Sequence, residues 1–185
     1  MSAPLRRFAL TEVMRVRGVP VYVHWTLIVI VAAILLGAFE RPGLTLVVLS
    51  SYIAVLLIHE CGHLIAAHSK GCEVLSIKLY PIFGVTCFQE PWSRWDRCVI
   101  SWGGVLAQAV VAFPLIAWFR LFGYSRFEPM NAMIVILGFF SVAIAAFNLL
   151  PIAPLDGATA WGLIPALAER GRARRKQQTA KWRHR

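Results

Sequence analysis

Two histidines four residues apart, with a glutamate beside the first, end a long uncharged stretch of this chain. The run is His59-Glu60-Cys61-Gly62-His63, and no charged residue lies between Leu44 and Ile58. On a helix, residues at i and i+4 share a face, so the two imidazoles can hold one zinc ion while Glu60 stands next to it as general base toward a water. A polar cluster after such an apolar run would weaken insertion into lipid unless it faced a cavity or the interior of a bundle. The pattern points to hydrolysis at membrane depth.

Composition supports that placement. The chain is 58% hydrophobic and 15% charged, with a mean hydropathy of +0.65, outside the usual range for a soluble domain. The expected fold class is an all-α polytopic integral membrane protein. About four segments have the length and apolarity to span: Val21 to Phe39, Leu44 to Ala67, Val99 to Phe122 and Ala132 to Leu150. Pro114 should kink the third. A membrane-associated β-hairpin is expected between the second and third spans, because β-branched and aromatic residues flank Pro81-Ile82-Phe83-Gly84 within Glu73 to Glu90. Met14 to Arg17 is a weaker candidate strand.

Charge sets the expected orientation. Four spans put the N-terminus, the middle loop and the C-terminus on one side, leaving only Arg41, Arg120 and Arg126 among the basic residues on the other. By the positive-inside rule both termini are then cytoplasmic. Arg6, Arg7, Arg15 and Arg17 precede the first apolar run, which is too long for a signal peptide and lacks a small-x-small cleavage site, so it is expected to be retained. The chain divides into a basic cytoplasmic segment at 1–20, a membrane domain at 21–168 and a basic cytoplasmic tail at 169–185. The tail is expected at anionic lipid rather than at nucleic acid, since nothing besides charge suggests base recognition. Cys61, Cys72, Cys87 and Cys98 form no Cys-x-x-Cys pair and are expected as small buried hydrophobes.

Two imidazoles are too few for a catalytic zinc, which usually takes three protein ligands. At about 1.5 Å per residue from Leu44, His59 lies roughly 22 Å into a hydrocarbon slab of about 30 Å. The fourth span reaches Asn148 and Pro151 at a comparable depth, followed by Ile152-Ala153-Pro154-Leu155-Asp156-Gly157. Two prolines three apart end regular helix, and irregular backbone at that depth must be covered by protein or line a wet cavity. Asp156 can fold back to the metal on this segment, with Gly157 permitting the turn after it. The competing role for Asp156 is a helix N-cap.

His59-Glu60-Cys61-Gly62-His63 together with Asn148-Leu149-Leu150-Pro151-Ile152-Ala153-Pro154-Leu155-Asp156-Gly157 resembles the site-2 protease family of intramembrane zinc metalloproteases, whose signatures are HExxH and NxxPxxxxDG. The likeness extends over about residues 15 to 160, through Gly18 to Trp25 and Tyr80 to Val85. It implies one Zn2+ per chain held by His59, His63 and Asp156, with Glu60 taking a proton from water and returning it to the leaving amine. The implied substrate is a single-pass transmembrane protein, cut in regulated intramembrane proteolysis, and the implied location is a prokaryotic plasma membrane. Asn148 is a candidate substrate-binding residue, with an ordinary cap or interhelical bond as the competing role. His24, beside Trp25, is an interfacial residue or supports the site from a distance. The chain departs from the family at Gln108, where Gly104-x-x-x-Gln108 replaces the usual Gly-x-x-x-Asn, and at Phe83-Gly84 in place of Gly-Gly. Both departures are expected to affect substrate binding and helix packing while leaving the metal ligands intact. A small metal transporter and a catalytically silent relative are the rival functions. Transport gives no reason for Glu60 between the ligands, and an intact HExxH argues against silence.

Overall fold

Two valine-rich strands open the described chain: the first takes in Met14 to Val16 of the weaker strand candidate, and the second lies where the first membrane helix was expected to begin. The structure, a computed structural model, describes residues 10–168 apart from 17, 90–92 and 166. The basic tail at 169–185 lies outside the described residues. Strand β1 (Leu10–Val16) turns through Gly18, at φ +86°, into the antiparallel strand β2 (Val19–His24). That backbone region penalises any residue with a Cβ, which accounts for glycine there. Along β2, Val21 is buried and Val19 and Val23 pack against the same core, the period-two burial of a strand. His24 ends it: its Nδ1 accepts from the backbone N–H of Thr26 at 3.3 Å and caps helix α1 (Trp25–Leu36). The expected span from Val21 to Phe39 is therefore a strand end, a twelve-residue helix and a 3-10 turn, Gly37–Phe39.

Among the described residues, three helices are long and apolar enough to cross a membrane: α2 (Pro42–Ser69), α3 (Arg94–Phe122) and α4 (Glu128–Asn148). Their apolar lengths and outward hydrophobic surfaces identify an integral membrane protein. α3 runs through Pro114 as one helix, from an N-cap at Ser93 whose side chain accepts from Asp96 N–H. α4 contains a π-helical stretch, Ile134–Phe140, between two α-helical pieces. α1 is shorter and pairs with the first half of α2, since Leu27 shares a core with Tyr52 and Leu56 while Gly37 approaches Thr45.

Beyond α2 come β3 (Val74–Leu79) and β4 (Gly84–Phe88), an antiparallel pair before α3. The all-α expectation with one hairpin is corrected here: β2 pairs in parallel with β3, giving one sheet in the order β1-β2-β3-β4. Apolar composition alone did not separate strand from helix at residues 19–24, and pairing with β1 and β3 decides it. The turn is closed by Tyr80 N–H donating to Phe83 O at 2.9 Å and pinned to α2 by Tyr52 Oη donating to Pro81 O at 2.6 Å. Along β4, Gly84 and Thr86 meet Glu60, and Phe88 packs against the core cluster of Ala67, Cys72 and Ile100. The alternate residues of β4 thus face α2, and the other edge of the strand is the end of the sheet.

Candidate metal centre

The two signatures meet where α2, α3 and the segment after α4 converge. His59, Glu60 and His63 are 2%, 3% and 4% exposed. α2 and α3 approach closely enough that a Cβ on Gly62 would lie 2.3 Å from Gly103 O, and one on Gly103 would lie 2.5 Å from Gly62 O. This glycine-on-glycine contact brings one stripe of α3 against the histidines. Ile100, Gly104 and Gln108 are spaced four apart and therefore share a face. Ile100 O lies 2.8 Å from His63 Nδ1, and Gln108 Oε1 lies 2.9 Å from His59 Nδ1. Between them, a Cβ on Gly104 would sit 2.6 Å from His63 Nε2 and 2.7 Å from His59 Cε1.

Asp156 arrives by the fold-back after α4. A Cβ on Gly157 would be 2.1 Å from Leu149 O, so this return requires glycine. The short helix α5 (Gly157–Ala160) then docks on α3: Trp102 Nε1 donates to Ala160 O at 3.0 Å, Cys98 Sγ to Thr159 O at 3.2 Å, and Ser101 and Thr159 join their hydroxyls. The Asp156 side chain makes no cap bond to α5. Its Oδ2 lies 3.0 Å from His59 Nε2 and 3.2 Å from His63 Nε2, and the two Nε2 atoms are 3.0 Å apart. Asp156 holds the N-cap position of α5 by its backbone, while its carboxylate faces the two imidazoles.

The donor chemistry fits zinc. Ile100 O can only accept, so His63 Nδ1 carries the proton and its Nε2 presents a lone pair. With Gln108 Oε1 accepting from His59 Nδ1, the second Nε2 does the same. Two imidazole lone pairs and a carboxylate oxygen then face one another with no proton among them, an arrangement that calls for a cation. Their separations approach the roughly 3.3 Å edge of a tetrahedron with bonds of about 2.0–2.1 Å. Glu60 is also within reach, since its carboxylate and the two histidines offer ligand atoms within 4.8 Å of one another. One Asp156 oxygen lies within 3.2 Å of both imidazoles, whereas Glu60 Oε2 accepts from Thr86 Oγ1 on β4. Glu60 Oε1 is buried with no hydrogen-bond partner.

Other sequence candidates settle differently. Asn148 is 1% exposed, and its Nδ2 donates to Ile144 O at 3.1 Å within its own helix. That bond is a local one, within a turn of the same helix. His24 caps α1 and stacks on Tyr80, so its place is structural. Cys72 and Cys98 are buried as expected, while Cys61 is exposed and Cys87 intermediate. Sequence reasoning missed Gly84, Thr86, Ile100 and the metal-site position of Gln108. The four-residue spacing of Ile100, Gly104 and Gln108, equal to that of the histidines, was the available signal. An open cleft of about 780 Å³ between the end of α2 and strands β2 and β3, lined partly by Val19, Ile65, His68 and Leu75, contains none of the site residues.

No family model matches the chain. It is 30% identical over 155 residues to a Synechocystis sp. protein provisionally named a zinc metalloprotease, covering 76% of this chain and 40% of that protein. It is 26% identical over 156 residues to a zinc metalloprotease of Methanocaldococcus jannaschii, covering 77% and 42%. The chain spans about two fifths of the length of these curated relatives. Its fold matches that of a site-2 protease from Methanocaldococcus jannaschii with a TM-score of 0.67 at 21% identity, over 85% of this chain and 72% of that one.

Proposed function

We propose that this chain, a site-2-protease-like protein by its fold and both signatures, is an intramembrane zinc endopeptidase that cuts a transmembrane segment of another membrane protein. The observation that carries the reading is the convergence of His59 Nε2, His63 Nε2 and Asp156 Oδ2 beside the buried carboxylate of Glu60. Zinc held there would supply Lewis acidity toward a water and the scissile carbonyl. Glu60 takes the water's proton on Oε1, the oxygen no other group engages, and delivers it to the leaving amine. Thr86 holds the other oxygen, fixing the carboxylate plane. The helices exclude bulk water, so these charges act in a low-dielectric surround.

A transmembrane substrate enters as a helix, whose peptide groups are occupied by their own hydrogen bonds. β4 offers a remedy. It ends the sheet and lies against Glu60, so an unwound substrate segment can add as the next strand and present a peptide bond near the metal. On this reading the basic N-terminal segment, middle loop and tail face the cytoplasm of a prokaryote, and the segment from β2 through α1 completes a fourth crossing beside α2. Regulated release of a membrane-tethered protein is the corresponding biological role. A metal-transit role is less well supported, because His59, Glu60 and His63 form the one metal-capable cluster identified among the described residues.

The test is Glu60→Gln in the purified chain with a single-pass substrate. The variant should keep about one zinc per chain yet lose cleavage by about 10²-fold or more. Near-normal cleavage would remove Glu60 from the reaction, and a wild-type chain that binds no zinc would sink the reading as a whole.

A further inference from the structure

We propose that Gln108 is a positioning residue of the metal centre, whose Oε1 holds His59 in the tautomer that turns the Nε2 lone pair toward His63 and Asp156. The inference rests on the zinc reading above and assigns a task to a residue outside both signatures. Gln108 is 1% exposed, and its Oε1 lies 2.9 Å from His59 Nδ1. Were the amide reversed, its Nε2 would donate to His59 Nδ1. The imidazole proton would then sit on Nε2, between His63 and Asp156, where the metal lone pair is needed.

Packing does not explain the amide. Gln108 Nε2 is buried with no hydrogen-bond partner, so an apolar side chain of similar length would fill the same space without orphaning a donor. The bond to His59 is what the glutamine adds. Its counterpart on His63 comes from a backbone carbonyl, Ile100 O, which no side-chain substitution removes. One histidine is therefore oriented by the α3 backbone, and the other depends on the single side chain two helical turns further along the same face. Metal-bound histidines generally donate their second ring N–H to such an acceptor, and its loss typically weakens metal binding or activity by 10–100-fold.

The experiment uses the full chain in detergent micelles and measures zinc affinity by competition with a chromophoric chelator, together with the absorption bands of the cobalt-substituted protein. Gln108→Leu, which lacks an acceptor, should bind zinc about tenfold or more weakly and alter the cobalt bands. Gln108→Glu, which restores an acceptor oxygen on a side chain of the same length, should bind at least as tightly as wild type with wild-type bands. Gln108→Met repeats the acceptor-free arm with an unbranched side chain should the leucine variant fail to fold. Wild-type zinc affinity in the folded Leu or Met variant, or equal weakening in Glu and Leu, would overturn the proposal. If wild type itself binds no zinc, the failure belongs to the proteolytic reading; if wild type binds and the acceptor-free variants are unaffected, it belongs to Gln108 alone.

Discussion

Gly84 of β4 lies so close to Glu60 that a Cβ added to the glycine would sit 1.8 Å from Oε1 and 2.3 Å from the carboxyl carbon. The hairpin and the Glu60 carboxylate are thus in direct contact. On the proposed reading, a segment docked along β4 would lie beside the group that takes the water's proton.

Gly84→Ala is expected to separate activity from stability. The obstructing atoms are the far end of a flexible side chain, so Glu60 can swing away at modest cost, but it then leaves its catalytic position. Cleavage should fall by about 10²-fold, within the range for a displaced general base, while zinc content and melting temperature stay near wild type. A fully active alanine variant would show that the base does not work from this position.

Thr86→Val removes the hydroxyl that donates to Glu60 Oε2 and keeps the β-branched shape that suits a strand. Hydrogen bonds to charged groups contribute about 1.5–3 kcal/mol, which corresponds to about 10–150-fold in rate. Steady-state kinetics should place the loss in kcat, with Thr86→Ser restoring most of it. A change confined to KM would assign Thr86 to substrate contact instead.

The adjacent glycines of α3 should fail in different ways. Gly104→Ala places a methyl group 2.6 Å from His63 Nε2 and 2.8 Å from His59 Nδ1, displacing both imidazoles and lowering zinc occupancy. Gly103→Ala sets its methyl group 2.5 Å from Gly62 O, so the helices must part and the loss falls on stability, by an amount typical of overpacking, about 1–3 kcal/mol. Zinc analysis and thermal unfolding of the two variants distinguish these outcomes.

Strand addition at β4 predicts that Val85→Pro impairs cleavage with zinc retained, because proline removes a backbone donor and fixes φ. Crosslinking from the hairpin to a substrate segment should weaken in parallel. Unchanged crosslinking and cleavage would eliminate β4 as the docking edge, and loss of zinc would trace the defect to a damaged fold.

The histidine pair was legible in the sequence because its geometry is local: four residues along a helix bring two side chains to one face whatever surrounds them. Asp156 was legible through its signature, and the fold-back that brings it home rests on Gly157, also local. Gln108, Gly104 and Ile100 were visible as letters but not as parts of the site, since their roles depend on the register between α2 and α3 set by the Gly62–Gly103 contact. Glu60 gains its partners Thr86 and Gly84 only because β4 packs along α2. The valines of β2 show the same division. An apolar run can enter lipid as a helix or a sheet as a strand, and the choice at Val19–His24 was made by backbone partners in β1 and β3, one of them more than fifty residues away. Residue chemistry and short-range spacing determined which groups could act on a metal. Long-range backbone pairing and helix register decided which of them stand in contact, because hydrogen bonds and van der Waals contacts act over a few ångströms and carry no information about distance along the chain.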